Sequence, residues 1–213
     1  MGHRCLKVHL CFGDWIFWRR AGGVHYRGSL KKWPQWLDAF LIKNGVTDIV
    51  LLGEQRDHHK VAVELAKKHN LDVTVTEWGY LRPDWITFER EGMSGNTCFT
   101  KNPQEIARIA EGLDEPDFKI RFPDSFFQLA RNGFVADVGT WFFAFLYPGF
   151  RSHLLMNPIL LYIATGLRRR KAAKNVELFN NLVRNLRENA AQHPYFVFPM
   201  QIEADFQVRA YSK

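Results

Sequence analysis

The chain has 213 residues, of which 46% are hydrophobic and 24% are charged, a composition typical of a globular protein with a sizeable core. The formal net charge of +7 favours anionic partners such as phosphates, nucleotides or anionic lipid. The three cysteines lack paired spacing, which argues against a disulfide framework and a zinc site and fits a reducing cytosol. The first residues lack the long apolar core of a signal peptide.

The chain opens with a predicted strand, Cys5–Phe12, in which apolar residues alternate. This strand runs into Asp14 and Trp15. A helix is predicted from Ser29, whose side chain can cap it, to Asn44. Gly45 then ends the helix, because glycine readily adopts the left-handed conformation at a helix C-terminus.

A basic and aromatic segment connects these two elements. It contains the glycine pair Gly22 and Gly23 and continues through Tyr26 and Arg27. Such a segment can grip a phosphate or stack on a sugar or base. A solvated loop with an aromatic anchor is an equally good interpretation.

Thr47–Gly53 is a short, continuous apolar run, which predicts a parallel strand buried on both faces. Glu54 and Arg56 follow this strand directly. His58 and His59 are adjacent in sequence and lack a partner at metal-ligand spacing, so we expect no metal site.

A helix over Val61–His69 and a third strand over Leu71–Thr76 come next. The alternation of strands and helices predicts an α/β fold with a doubly wound, Rossmann-like parallel sheet. Ligands of such sheets bind beyond the carboxyl ends of the strands. We therefore expect the carboxylates that follow the three strands to lie along one edge of one sheet. They are Asp14, Glu54 and Glu77. If Glu77 is considered alone, a solvated glutamate at a strand end is an equally good interpretation.

The second half of the chain is predicted to be largely helical. A turn-rich stretch precedes a helix over Pro103–Leu113, and two prolines in Asp114–Pro123 indicate a boundary. The apolar runs of Phe126–Gly166 are too short to span a bilayer, so we expect helices that cover the sheet. An amphipathic surface resting on anionic lipid is the alternative, because basic residues follow at 168–171. Asn175–Gln192 is predicted to be an amphipathic helix with its apolar side facing inward.

The end of the chain, from Tyr195 to Phe198, is predicted to be another buried strand, with a polar loop after it. The elements together predict three parts. Residues 1–113 form a Rossmann-like domain, residues 114–192 a helical segment that packs on it, and residues 193–213 the truncated start of a second domain.

Two blocks of sequence are specific: EWGYLRPDWIT at Glu77–Thr87, and the spacing of Gln201, Asp205 and Gln207 within YFVFPMQIEADFQVRAYS. Supporting blocks are the Gly-Asp-Trp that follows the first strand together with Phe17 and Trp18, the Tyr-Arg-Gly at residues 26–28, and residues 47–56, where GEQR follows the apolar run. In these blocks the chain resembles bacterial capsular polysaccharide synthesis and export proteins, the retaining β-Kdo transferases that build the lipid-linked start of group 2 capsules. The resemblance covers nearly the whole chain and is weakest over residues 126–170.

The resemblance implies a GT-B-like, two-lobed architecture and a glycosyltransferase. The implied reaction transfers Kdo from CMP-Kdo to a lysophosphatidylglycerol-type lipid acceptor with retention, without a metal or other cofactor. Asp205 matches the nucleophile, and Glu77 matches the acid/base. Trp78 departs from the family pattern, in which related modules often carry a second acid. The implied substrate-binding residues are Asp14, Trp15, Arg27, Glu54, Arg56, Tyr80, Arg82, Gln201 and Gln207.

Family members continue to phosphate-binding motifs that these 213 residues lack, so we expect the second lobe to be largely missing and the chain to be inactive alone. The resemblance also implies a cytoplasmic location, peripheral to the inner face of the inner membrane, with other capsule-assembly proteins as partners. The alternative function is a non-catalytic α/β module that binds an anionic lipid or a nucleotide. Nucleic acid is not an expected partner, because the chain has no RNP-like motif and no dispersed Lys/Arg stripe.

Overall fold

A computed structural model of the chain describes residues 2–79, 81, 84–123, 125–152, 154, 156–190, 196 and 198. Within these residues the strands are β1 (Lys7–His9), β2 (Gly23–His25), β3 (Asp48–Leu52), β4 (Asp72–Trp78) and β5 (Ile86–Arg90). The helices are α1 (Phe12–Phe17), α2 (Trp33–Asn44), α3 (Asp57–His69), α4 (Pro103–Glu111), α5 (Phe126–Phe142), α6 (Pro158–Lys174) and α7 (Val176–Asn189).

Backbone contacts divide the described residues into two compact units. The first, called the sheet unit below, comprises the described residues of 25–131 and 147–150 and contains β3, β4 and β5. The second, called the helical unit, comprises those of 1–24, 132–146 and 151–213 and contains α1, α6 and α7. The domain boundaries proposed from sequence after residues 113 and 192 stay a prediction.

The sheet of the sheet unit has the strand order β3-β4-β5. Strands β3 and β4 are parallel, with Leu52 opposite Thr76 at their ends. This parallel pair, together with the helices, confirms the predicted α/β class. Strand β5 is antiparallel to β4, with Ile86 opposite Trp78. The sequence predicted only turns in this stretch, although Ile86 and Phe88 alternate with polar residues as strand residues do.

One face of this sheet carries the core of the unit. Ala66 of α3 packs there with Val73 and Val75 of β4 and with Met93. On the opposite face Val50 is 66% exposed, so the prediction that β3 is buried on both faces is wrong. The physical reason is that the described core covers only the face of the sheet that carries Ile49 and Leu51.

Helix α2 confirms the predicted helix and its end. A 3-10 turn at Leu30–Lys32 precedes it, and Gly45 caps its C-terminus with φ of 58°. Buried Trp33 donates its indole N–H to the carbonyl of His58 over 2.9 Å, which joins α2 to the start of α3.

In the helical unit, the first predicted strand is shorter than expected. β1 covers three residues, and the chain then forms α1, because Phe12 stacks on Phe143 with ring centroids 4.4 Å apart and the Gly13 amide donates to Thr140 Oγ1 over 3.0 Å. β1 pairs with β2 in a separate two-stranded sheet. The prediction that Asp14 shares one sheet edge with Glu54 and Glu77 is therefore wrong.

The predicted helices of residues 126–192 are present as α5, α6 and α7. The Tyr162 hydroxyl on α6 donates to Asp137 on α5 over 3.0 Å. Of the helices in the described ranges, none has the length and apolar content needed to cross a bilayer. The apolar side of α7 was predicted to face inward, but Phe179 and Leu182 on that side are each 53% exposed.

Candidate functional site

The carboxyl ends of β3 and β4 form the edge at which the sequence predicted a site. The ladder extends one residue past β3, where the Gly53 amide donates to the carbonyl of Thr76 over 3.0 Å. Gly53 has φ of 67°, a conformation that glycine adopts without steric cost. Glu54 comes two residues after β3 and Glu77 is the second-last residue of β4, so these two of the three carboxylates lie at the carboxyl ends of neighbouring parallel strands, as predicted.

Glu54 is buried, with 5% of its surface exposed. Its Oε1 accepts hydrogen bonds from the side-chain amide of Asn96 at 3.1 Å and from the side-chain amide of Gln55 at 3.3 Å. Asn96 ends a short 3-10 turn that follows β5. These bonds join the residues after β3 to that turn, so they fix the backbone beside the edge. Sequence reasoning did not identify Asn96, whose only signal was its place in a glycine-rich turn.

Glu77 is half-buried and ends the same face of β4 that carries Val73 and Val75, because side chains alternate along a strand. Its Oε1 accepts the Trp78 amide at 3.3 Å. A Cβ built on Gly53 would lie 3.7 Å from Glu77 Oε2, so the carboxylate lies beside a backbone without a side chain. A carboxylate placed in this way can exchange a proton with the hydroxyl of a bound ligand.

The start of α3 closes this edge. Arg56, a predicted binding residue, is the exposed N-cap residue of α3. A ring nitrogen of His59, Nδ1, lies 2.6 Å from the carbonyl oxygen of Gly53 and closes the connecting loop. His58 is buried against Trp33, with ring centroids 5.2 Å apart.

Asp14 and Trp15 lie in the helical unit, on α1. Asp14 accepts the Leu10 amide at 2.9 Å, and the Lys7 ammonium lies 3.8 Å from its other oxygen. Trp15 is exposed and makes an edge contact with Phe12. Neither residue belongs to the sheet that carries Glu54 and Glu77.

Arg27 lines a cavity of about 420 Å³ in the sheet unit. The sequence identified Tyr26 and Arg27 in this segment but missed the residues that the start of α2 contributes. Their signal was a basic and aromatic run, LKKWPQW, at residues 30–36. The residues that line the cavity are His25, Tyr26, Arg27, Gly28, Lys32, Gln35 and Trp36.

Several predicted residues lie outside the part of the chain that the structure describes, and their roles stay predictions. They are Tyr80, Arg82, Gln201, Asp205 and Gln207. The predicted strand over residues 195–198 lies outside it as well, apart from Phe196 and Phe198.

A parallel strand pair with a helix on one face and a half-buried glutamate at its carboxyl end defines an α/β protein, consistent with part of a Rossmann-like lobe of GT-B type. Residues 47–213 match the family described as capsule polysaccharide biosynthesis protein. The chain belongs to this family, and this membership supports a role in capsule polysaccharide synthesis.

Two relatives support the same conclusion. The chain is 24% identical over 215 residues to the capsule polysaccharide export protein KpsS of Escherichia coli, a match that covers 100% of this chain and 54% of KpsS. It is 22% identical over 213 residues to the capsule polysaccharide modification protein LipB of Neisseria meningitidis, a match that covers 95% of this chain and 49% of LipB. The chain therefore spans about half the length of the curated relatives it matches. No solved structure matches it.

Proposed function

We propose that the protein acts as a glycosyltransferase of capsule polysaccharide synthesis, which transfers Kdo from CMP-Kdo to a lysophosphatidylglycerol-type lipid acceptor with retention. The observation that carries this proposal is the half-buried carboxylate of Glu77 beside Gly53, at the carboxyl end of a parallel strand. Family membership supports the link to capsule synthesis. The substrates named here are those that the sequence resemblance implies.

Retention of configuration is achieved by two successive displacements. In the first, a carboxylate oxygen of Asp205 attacks the anomeric carbon of Kdo, a covalent bond forms, and CMP leaves with the electron pair of the broken bond. In the second, Glu77 takes the proton of the acceptor hydroxyl, whose oxygen attacks the same carbon and releases Asp205.

The position of Glu77 on a strand suits the second step. Glu77 is paired with Thr87 of β5, and the Trp78 amide contacts its carboxylate, so the side chain starts from a rigid backbone. A catalytic base held in this way needs little reorganisation when the acceptor binds. Arg56 at the start of α3 is a cation that can face an anionic group of a bound substrate, and the positive end of the helix dipole adds to its field.

The test uses a full-length version of the protein with CMP-Kdo and a lysophosphatidylglycerol. Replacement of the nucleophile in Asp205→Ala is expected to abolish both transfer and the covalent Kdo adduct, which mass spectrometry detects on the wild-type peptide. Near wild-type transfer by Asp205→Ala would reject the nucleophile. Robust transfer by residues 1–213 alone would show that the chain does not need further sequence for activity.

Peripheral contact with the inner membrane is part of this proposal. The exposed basic residues at 168–171 near the end of α6 can face anionic lipid, where each cation contributes about 1 kcal/mol near the surface. Release of the protein from membranes by high salt is the expected result. Release only by detergent would contradict a contact that depends on charge. Capsule-assembly proteins as partners, and the cytoplasmic location, are proposed on the same basis.

A non-catalytic module that binds an anionic lipid or a nucleotide is the second candidate function. The observation that favours it is the cavity at Arg27 and Lys32, which a binding protein could use without any transfer. Binding of CMP-Kdo by a full-length protein that forms no product with any lysolipid would favour this candidate.

A further inference from the structure

The cavity at the start of α2 lies apart from the two glutamates and has a chemistry of its own. Its volume of about 420 Å³ lies in the range of small-molecule sites. Two of its seven lining residues, Arg27 and Lys32, carry cationic side chains, and none of the seven is acidic. Asp38, the acidic residue of α2, contacts Lys68 and His69 on α3 instead. The residues that line the cavity therefore carry net positive charge.

The aromatic part of the cavity wall is fixed by packing. Buried Tyr26 donates its hydroxyl to the carbonyl of Ser29 over 2.6 Å. Trp36 stacks on Phe40 with ring centroids 5.0 Å apart and lies 4.9 Å from Tyr26, again between centroids. Aromatic walls held in this way keep the shape of a cavity before a ligand binds, which lowers the entropic cost of binding.

The backbone of the cavity is equally constrained. A Cβ on Gly28 would lie 2.5 Å from the Tyr26 hydroxyl oxygen, so only glycine fits there without a shift. A ring nitrogen of His25 lies 2.6 Å from the hydroxyl of Tyr147, which orients the imidazole at the rim. Arg27 thus extends from a backbone whose neighbouring residues on both sides, His25 and Gly28, are held by these contacts.

We propose that this cavity is a binding site for the phosphate group of a phosphate ester. The guanidinium of Arg27 can donate two parallel hydrogen bonds to phosphate oxygens, and the Lys32 ammonium adds a point charge. Gln35 offers an amide to the hydroxyl groups of the alcohol part of the ester. The choice between a nucleoside phosphate and a glycerol phosphate as the natural ester rests on the proposed function, whereas the cavity and its charge do not.

The cavity is connected to the edge with Glu54 through the start of α3. The ring of His58 lies 6.5 Å from Tyr26 and 5.2 Å from Trp33, between centroids, and His58 follows the loop that begins at Glu54. All of these residues belong to the sheet unit. The cavity site thus lies in the same compact unit as the proposed catalytic glutamate but does not include it.

The experiment measures binding to the 213-residue chain by calorimetry, with CMP, sn-glycerol 1-phosphate, cytidine and glycerol as probes. At least one of the two phosphate esters is expected to bind more tightly than its uncharged counterpart. Arg27→Ala and Lys32→Ala should each weaken that binding about tenfold, the effect of losing one charge-assisted hydrogen bond. Lys31→Ala is the matched control, because Lys31 is exposed in the same turn but does not line the cavity.

Preference for CMP assigns the site to the donor, and preference for glycerol phosphate assigns it to the acceptor; both outcomes support a phosphate site. Esters that bind no better than cytidine and glycerol, or an equal loss of affinity in Lys31→Ala and Lys32→Ala, would overturn the proposal. The two proposals can fail separately. If Glu77→Gln transfers Kdo normally, the proposed role of Glu77 is rejected. If phosphate-ester binding still depends on Lys32, the phosphate site is supported all the same.

Discussion

Asn96 holds Glu54 in place: the Asn96 side-chain amide donates to Glu54 Oε1 over 3.1 Å and joins the turn after β5 to the residue after β3. This bond distinguishes the two glutamates at the end of the parallel strands. Glu54 is buried and its carboxylate is occupied by internal donors, whereas Glu77 is half-buried. The carboxylate proposed for proton transfer is accordingly Glu77.

Asn96→Ala is expected to lower the free energy of unfolding by about 1–3 kcal/mol, because a buried carboxylate loses one of its donors. Urea unfolding followed by circular dichroism measures the change. Asn180→Ala, on the exposed part of α7, is the control and should change stability by less than about 0.5 kcal/mol. Equal stability of the two variants would show that the Asn96 bond does not stabilise the fold.

Glu77→Gln is expected to lower kcat for Kdo transfer by about 10²–10⁴-fold, because the amide cannot accept the acceptor proton. KM for CMP-Kdo should change little, since the glutamine keeps the size of the side chain. Steady-state kinetics of the full-length enzyme separates the two constants. Glu64→Gln, an exposed position on α3, is the matched control and should behave as wild type. A Glu77→Gln enzyme with normal kcat contradicts the acid/base role.

Because only one face of the sheet is buried, we expect alanine substitutions of two valines on opposite faces to differ in their effect on stability. Val75 is fully buried, so Val75→Ala should cost about 2 kcal/mol through lost burial and the cavity that remains. Val50→Ala removes the same atoms from the exposed face and should cost less than about 0.5 kcal/mol. Chemical denaturation of both variants tests the contrast. A large effect of Val50→Ala would show that something covers the second face of the sheet.

Two glycines with open space around them predict effects of opposite sign. Gly45 has φ of 58° and no atom near a built Cβ, so Gly45→Ala should destabilise by about 1–2 kcal/mol through backbone strain alone. Gly166 lies inside α6, also without a neighbour, and Gly166→Ala should stabilise by about 0.5–1 kcal/mol. Thermal unfolding of both variants measures the signs, and the same sign for both would contradict the backbone explanation.

The carboxyl group of Asp38 should make the stability of the fold depend on pH. Hydrogen bonds from His69 and Lys68 hold the pKa of Asp38 below its ordinary value. A carboxyl group whose pKa is lower in the folded state stabilises the fold above its unfolded pKa of about 3.9 and loses this contribution as the pH falls through the folded value. Asp38→Asn should therefore lower Tm at neutral pH and have a smaller effect at acidic pH.

Thermal melts of wild type and Asp38→Asn, from neutral pH down to below the unfolded pKa of the carboxyl group, provide the measurement. Asp114→Asn, which removes an exposed carboxylate from the segment between α4 and α5, serves as the control for a change of net charge. A difference between wild type and Asp38→Asn that is independent of pH would rule out the carboxylate as its source.

The sequence alone determined the elements whose signals are local. The helical spacing of apolar residues and the left-handed Gly45 defined α2, and the apolar run before Gly53 defined β3. The alternating valines of β4 placed Glu77 at the carboxyl end of a core strand. These signals need only neighbouring residues, because hydrogen bonding in a helix and the alternation of side chains along a strand repeat over a few positions.

Only the tertiary structure decided the features that depend on residues far apart in the chain. Packing of Phe12 against Phe143 turned a predicted strand end into α1 and removed Asp14 from the edge with the glutamates. The hydrogen bond from the Asn96 side chain holds the buried carboxylate of Glu54. The segment at Arg27 became a cavity wall because Lys32 and the start of α2 pack beside it. Such contacts carry no local periodicity, since their free energy comes from burial and hydrogen bonds between distant segments.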